Sequence, residues 1–392
     1  MTIPTEAPAW TDIDPSLLTI ERNPVKSALP EQMLFGANFS DHMLIIKHVA
    51  GKGWQAPVIK PYGPLELSPA SAVFHYAPSL FEGMKAYKQE GKTPRLFRPD
   101  ENMARMSRSA DRVALPPFNQ EAVISLIKTL VKEDEHLIPP PPYSLYIRPT
   151  MIGTRPALGV GASDECMLYV IMCPVGPFFP KGFKPVSLLA TTDAVRSWPG
   201  GTGQYKLALN YAPCFRPQEK AKSLGYDQNL WCLGDQITEC GQMNLFVSYE
   251  DDEGVTHLIT PPLNGLILPG ITRASLLALA RSHQKGEITL PGLPEKSKFV
   301  IEEREFGLSD LRAWSEKDAL REAFGAGTAA VVCSVERIGL PTGSESKAVK
   351  DIHIPIGPTG LGPIATGLHA RVTAIQEGSL EGPPGSNWSW EC

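Results

Sequence analysis

The chain has 392 residues, 37 of them lysine or arginine and 42 aspartate or glutamate, giving a formal charge of −5. That length suggests two or three domains of ordinary size, and the lack of a basic excess argues against a general binder of nucleic acid. With 42% hydrophobic and 20% charged residues the composition is globular, and the apolar run from Met167 to Cys173 falls far short of the roughly 18 residues that a membrane-spanning helix needs.

The 34 glycines and 38 prolines punctuate the chain into many short elements, which predicts a mixed α/β or α+β protein. Asp41 to His48 reads as a strand. Asn119 can cap a helix whose apolar stripe is Val123, Leu126, Ile127, Leu130 and Val131, and the prolines at 139–142 stop it. Ser144 to Arg148 and Met167 to Pro174 read as strands. Prolines and glycine at 177, 180, 182 and 185 then mark a linker, so the expected division is a small N-terminal domain at 1–177, a linker at 178–186 and a larger domain at 187–392. Beyond it, Val186 to Ala190 and Asn229 to Leu233 are predicted strands, and Asn244 to Tyr249 with Val255 to Thr260 a hairpin. Thr272 to His283 and Ile364 to Glu377 have helical spacing, Ala329 to Val335 reads as a buried strand, and Gly339 to Lys350 and Glu381 to Ser389 as loops.

Metal and triad chemistry find little support. The seven cysteines are scattered and no two form Cys-x-x-Cys, so neither a disulfide framework nor a zinc site is expected. The eight histidines lack metal-ligand spacing, and no G-x-S-x-G elbow, Walker A loop or dinucleotide fingerprint occurs. Glu6, Asp12 and Asp14 precede the first arginine, and no apolar leader is evident. The cytosol is the expected compartment, with a processed mitochondrial form as the alternative.

Four stretches and one arginine concentrate unusual chemistry. In WPGGTGQYKLALNY (Trp198 to Tyr211) a glycine cluster leads to Lys206. Glycines let backbone approach a planar ligand closely, and a lysine that attacks an aldehyde must be held in a tight place; the alternative is an exposed lysine after a surface turn. In QITECGQMNLF (Gln236 to Phe246), Glu239 lies among apolar and small residues ahead of a strand. A buried carboxylate needs a partner, which can be an aromatic ring nitrogen or a structural cap. Leu268 to Arg273 opens a helix and Gly325 to Thr328 opens a strand, and each is either a phosphate seat or an ordinary turn. Arg105 is a phosphate clamp or part of a solvated helix face.

In order along the chain, LFGANFSDHML (Leu34 to Leu44), HYAPSLFEGMKAY (His75 to Tyr87), RLFRPDENMARMSRSA (Arg95 to Ala110), LYIRPTMIGT (Leu145 to Thr154), the lysine and glutamate stretches, TPPLNGLILPGITR (Thr260 to Arg273) and GAGTAAVVC (Gly325 to Cys333) resemble the branched-chain amino-acid aminotransferases of the fold-type IV pyridoxal 5′-phosphate enzymes. The resemblance implies a two-domain fold, with a smaller N-terminal α/β domain and a larger C-terminal domain that is β-barrel-like with helices, and a homodimer. It implies transfer of the amino group of leucine, isoleucine or valine to 2-oxoglutarate by a ping-pong route. Lys206 would bond the cofactor aldehyde and shuttle the proton, Glu239 would keep the ring nitrogen protonated, and Tyr211 would bind the ring oxygen. Arg105, the backbone at Ile271 and Thr272, and Thr328 would hold the phosphate. Phe39, Tyr76, Phe81 and Tyr146 would line the side-chain pocket, Arg148 would take the distal carboxylate of glutamate, and amides near Gln242 and Ala329 the α-carboxylate.

Several residues depart from the family pattern. Gln242 stands at a position usually held by a small hydroxyl residue, Phe178 replaces a linker tyrosine at the site mouth, and Leu207, Ala208 and Leu209 replace a glycine-rich stretch. Ala330 with Cys333 removes a redox Cys-x-x-Cys, and Pro213 and Pro217 enter the expected helix after Tyr211. These keep open an aminotransferase of a specialised pathway with an aromatic, sulfur-containing or unusual substrate; a catalytically silent binding homologue is the alternative from another class, against which the intact Lys206 and Glu239 argue.

Overall fold

A computed structural model describes residues 11–176, 184–293, 299–341 and 349–392. Phe178 and the expected linker up to residue 183 lie outside these. Contacts divide the chain into two compact units, and the division is not two contiguous halves. The first unit holds the described part of Met1–Gly176 together with Lys206–Leu209 and Trp390–Cys392; the second holds the rest.

The first unit carries strands β1 (Thr19–Ile20), β2 (His42–Val49), β3 (Gly53–Trp54), β4 (Val58–Pro61), β5 (Ser79–Phe81), β6 (Met84–Tyr87), β7 (Arg95–Phe97), β8 (Ser144–Gly153) and β9 (Cys166–Val175), and helices α1 (Ala72–Tyr76), α2 (Pro99–Arg112) and α3 (Gln120–Glu133). The sheet runs β1-β4-β2-β9-β8-β6-β7 and ends on a C-terminal strand, Ser389–Glu391; β3 adds to β2 and β5 to β8. At its centre β8 and β9 pair antiparallel from Ser144 opposite Val175 to Gly153 opposite Cys166. The expected strand ends at Arg148, yet β8 continues through Pro149. A residue's N–H and C=O point to the same edge of a strand. The Pro149 carbonyl accepts the N–H of Glu82 at 2.8 Å, so the missing N–H of the proline faces the break between β5 and β6, where no ladder bond is lost. Helix α3 forms as expected: the Asn119 side chain accepts the Ala122 N–H at 3.0 Å, and Val123, Leu126, Ile127, Leu130 and Val131 are buried.

The second unit carries β10 (Val186–Thr191), β11 (Gln228–Leu233), β12 (Gln236–Cys240), β13 (Met243–Glu250), β14 (Thr256–Thr260), β15 (Phe299–Glu303), β16 (Leu320–Gly327), β17 (Val331–Pro341) and β18 (Val349–His353), with helices α4 (Phe215–Ser223), α5 (Ile271–Gln284), α6 (Leu308–Glu316) and α7 (Pro363–Glu377). The path β12-β11-β10-β17-β16-β13 closes because β13 also pairs with β12, making a ring of strands without a free edge. β14 and β15 extend it from β13, and β18 from β17. Leu188, Leu230, Ile237, Leu245, Val247 and Val335 belong to its buried core. The hairpin expected around Asp251 to Gly254 forms as β13 and β14, and both C-terminal helices form within one residue of their expected starts.

Two expectations are corrected. Gly325 to Gly327 closes strand β16 rather than opening one, and Thr328 lies in the turn to β17, because β16 and β17 are a hairpin paired from Phe324 opposite Ser334 to Gly327 opposite Val331. Gly339 to Pro341 is not loop: it pairs with Val349 to Asp351. Gly339 is accepted in the strand because a Cβ there would lie 2.3 Å from the Tyr226 hydroxyl.

Helix α7 is seated on a buried carboxylate. Glu322 of β16, 3% exposed, accepts the N–H groups of Ile364 at 2.9 Å and Ala365 at 3.0 Å, two of the donors that every helix start leaves unmatched. Replacing Glu322 with alanine orphans both and should lower unfolding stability by about 2–3 kcal/mol in a urea titration; a loss under about 0.5 kcal/mol, the scale of a surface substitution, would refute the cap.

Candidate active site

In the first unit, chemistry gathers at the break between β5 and β6. Helix α2 starts well, with Pro99 in its first turn, Asp100 and Glu101 beside it and Arg112 in the last turn. Asn102, Arg105 and Ser109 recur at helical spacing and so form one stripe; all three are polar and buried. They are explained by what they meet. Arg105 donates from Nε to Glu82 Oε1 at 2.8 Å and from Nη2 to Glu82 Oε2 at 2.7 Å, a fork-to-fork pair. Asn102 Nδ2 donates to Glu82 Oε2 at 2.8 Å and to the Gly83 carbonyl at 3.2 Å. Ser109 Oγ accepts the backbone N–H of Lys206 at 2.9 Å.

Lys206 is held from its other side as well, where its carbonyl accepts the Phe81 N–H at 3.2 Å and Leu207 bridges to Leu80. Leu207 is fully buried, which accounts for its bulk after the lysine. Lys206 Nζ lies 5.0 Å from the centre of the Phe81 ring, and Arg148 Cζ lies 4.6 Å from the same ring. Arg148 donates from Nε and Nη2 to the Tyr146 hydroxyl at 3.3 and 3.0 Å. Burial raises the Tyr146 hydroxyl above an ordinary phenol's pKa, against the opposing pull of Arg148. The hydroxyl has room because residue 83 is glycine: a Cβ there would lie 2.2 Å from it. Phe39 packs against Tyr146, Cys173 and Val175. Tyr76 is not part of this cluster. It is 41% exposed, donates its hydroxyl to the Leu158 carbonyl, and turns its ring toward His75. Lys85, in register with Tyr146, is a second notable amine, since burial lowers its pKa to about 8.

In the second unit, Glu239 and Asn244 are cross-strand partners on β12 and β13. Glu239 is 3% exposed. Its Oε1 accepts the Leu268 N–H at 3.1 Å and Asn244 Nδ2 at 3.2 Å, and its Oε2 contacts the Arg196 guanidinium, which offsets the cost of a buried charge. Asn244 also donates to the Leu268 carbonyl at 2.9 Å, fixing the segment that leads into α5. The residue before α5 is Gly270, which brings no side-chain cap to the helix N–H groups. Between β12 and β13 the chain turns on Gly241, at φ +55, where a side chain would strike Gln228. This turn presents Gln242 outward.

A cavity of about 400 Å³ in this unit is lined by Arg196, Tyr211, Gln242, Thr328 and Ala329, among others. It thus gathers Tyr211, Thr328, Ala329 and Gln242, whereas Glu239, Ile271 and Thr272 are not on its wall; Glu239 meets it through Arg196. Pro213 and Pro217 are absorbed without a break, the first in a 3₁₀ turn, Ala212–Cys214, and the second in the first turn of α4, where a missing N–H costs nothing. Glu82, Asn102, Ser109 and Arg196 were not singled out in the sequence. Their signal was faint: polar residues at helical spacing in α2, and an arginine just ahead of the glycine cluster.

Residues 79–338 match the model of the class IV amino-transferase family. The chain belongs to this family. A mitochondrial branched-chain-amino-acid aminotransferase of Saccharomyces cerevisiae is 47% identical over 363 residues, covering 91% of this chain and 87% of its own. The cytosolic enzyme of the same yeast is 45% identical, covering 95% of each chain. Among solved structures, the PLP form of the branched-chain amino acid aminotransferase from Thermobaculum terrenum has a TM-score of 0.63 at 19% identity, covering 86% of this chain and 94% of that one. Among the described residues of this class IV aminotransferase, no group of His, Cys, Asp and Glu is arranged to hold a metal ion, and no helix is long and apolar enough to cross a membrane.

Gly83→Ala should displace the Tyr146 hydroxyl and break its bonds to Arg148. Aminotransferase activity is expected to fall roughly tenfold or more, as misplacements near 1 Å do, with an unchanged far-UV circular dichroism spectrum. Full activity in the variant would mean that the Tyr146–Arg148 contact has no role in turnover.

Proposed function

We propose that the protein is a pyridoxal 5′-phosphate-dependent aminotransferase that moves the α-amino group of leucine, isoleucine or valine to 2-oxoglutarate by a ping-pong route. The observation that carries this reading is Lys206, clamped on both backbone sides by Ser109 and Phe81, in a chain whose relatives at 47 and 45% identity are branched-chain-amino-acid aminotransferases.

The donor set fits such a cofactor: an amine for the aldehyde, a buried carboxylate for the ring nitrogen, and a hydroxyl with helix-start N–H groups for the phosphate. When bound, the cofactor supplies an electrophilic carbon and a protonated ring that accepts the electron pair left at the substrate α-carbon. In this reading Lys206 holds the proton that leaves the α-carbon and returns it at C4′ of the cofactor. Glu239, its charge balanced by Arg196, faces the ring nitrogen, and Tyr211 donates to the ring oxygen. Arg105, the N–H groups of Ile271 and Thr272, and the Thr328 hydroxyl hold the phosphate. Phe39, Phe81 and Tyr146 supply the apolar wall and Arg148 the cation that the distal carboxylate of glutamate requires; Tyr76 stands apart from these three. The backbone near Gln242 and Ala329 receives the α-carboxylate.

Gln242 favours a second reading, in which the cofactor chemistry is the same and the amino acid is not branched-chain. An exposed carboxamide on the cavity wall offers a donor and an acceptor where an aliphatic side chain needs neither.

Two measurements test this. Borohydride reduction of the coloured protein followed by peptide mass spectrometry should leave the adduct on Lys206; an adduct on Lys85 instead would overturn the role of Lys206, and a colourless protein would sink the cofactor reading. Glutamate formation from 2-oxoglutarate with single amino acids should be fastest with leucine, isoleucine and valine, and negligible rates with all three would transfer support to the second reading.

We also infer that the partner is a second copy of this chain. Phe74, Leu158 and Val160 are 60, 64 and 85% exposed in the first unit, large apolar side chains of the kind that subunit contacts cover. Light scattering should report the mass of two chains, and a monomer at micromolar concentration would refute it.

A further inference from the structure

We propose that Glu82 is a positioning residue, which fixes the guanidinium of Arg105 and through it sets how tightly the protein holds the phosphate of its cofactor. The proposal rests on the reading of Arg105 as a phosphate ligand.

Glu82 is fully buried, and a buried carboxylate is costly unless matched. It is matched on every side: two parallel bonds from Arg105, one from Asn102 Nδ2, and the Gly83 N–H at 3.3 Å from Oε2. Because a guanidinium is planar, holding its Nε and Nη2 edge also sets the direction of Nη1. Glu82 is itself rigid. It sits in the break between β5 and β6 with its N–H donated to Pro149 of β8, so Arg105 is referred to the sheet as well as to its own helix. One turn further along α2, Ser109 takes the N–H of Lys206. The carboxylate, the arginine and the lysine backbone therefore form one connected frame. Stability alone does not call for this arrangement, since an apolar replacement of a buried ion pair is often neutral or stabilising.

The experiment titrates full-length protein, freed of cofactor, with pyridoxal 5′-phosphate and with pyridoxal, which lacks the phosphate, following the visible band and the intrinsic fluorescence. Glu82→Gln should weaken pyridoxal 5′-phosphate roughly 10- to 100-fold, the scale of one lost charge-assisted hydrogen bond, and pyridoxal by less than about threefold. Glu82→Asp should recover part of the difference. Equal loss for both ligands would mean a merely structural carboxylate, and no loss for either would also overturn the proposal. Arg105→Met separates the two readings. If it leaves pyridoxal 5′-phosphate affinity unchanged, the phosphate role of Arg105 fails; if it weakens that affinity while Glu82→Gln does not, only the positioning role fails. Should Glu82→Gln not fold, Asn102→Ala removes another donor to the same carboxylate. A smaller loss selective for pyridoxal 5′-phosphate supports the proposal, and a parallel or absent loss overturns it.

Discussion

Each unit buries one glutamate against one arginine, and the chemistry of the protein is arranged around these two contacts. Among the described residues, Glu82–Arg105 and Glu239–Arg196 are the two arginine–glutamate pairs in which both side chains are under 10% exposed. Removing a charge from water is expensive, and the attraction between partners repays it only when further hydrogen bonds complete the shell. Both pairs have further bonds. Asn102 adds a bond to Glu82, and Asn244 with the Leu268 N–H adds two to Glu239 Oε1 while Oε2 faces Arg196.

The surrounding fold can be understood as what these shells require. Around Glu82, a strand break lets the chain turn its carboxylate onto α2, with Pro149 placed where its missing N–H is harmless. Glycine at 83 leaves space for the Tyr146 hydroxyl. Around Glu239, closure of the strand ring places Asn244 directly across the hairpin, and the same asparagine ties down the approach to α5. In the second unit Asn244 links the buried carboxylate to the backbone that leads into α5; in the first, Ser109, one turn along α2 from Arg105, holds the Lys206 backbone.

Much of the fold was legible because it is locally encoded. The Asn119 cap and its apolar stripe are readable from one turn of helix to the next, and the hairpin at Asp251 to Gly254 from a turn flanked by β-rich runs. The misreadings share a cause. Pro149 and Gly339 look like breakers, but each stands where a neighbouring strand or ring, distant in sequence, makes proline or glycine acceptable. Gly325 to Gly327 was assigned to the wrong end of a strand because a hairpin partner, and not composition, decides where β16 stops.

The family could be read from the sequence alone, through ordered blocks that contain Lys206, Glu239, Arg105 and Arg148, because each block is a local run of residues; taken singly, a lysine, a carboxylate or an arginine left an ordinary structural role open. Which groups stand beside them was decided only in three dimensions. Glu82 and Arg105 lie 23 positions apart and Ser109 and Lys206 lie 97 apart, and Arg196 meets Glu239 across the second unit. A hydrogen bond depends on distance in space, and no periodicity along the chain records that for residues on different elements.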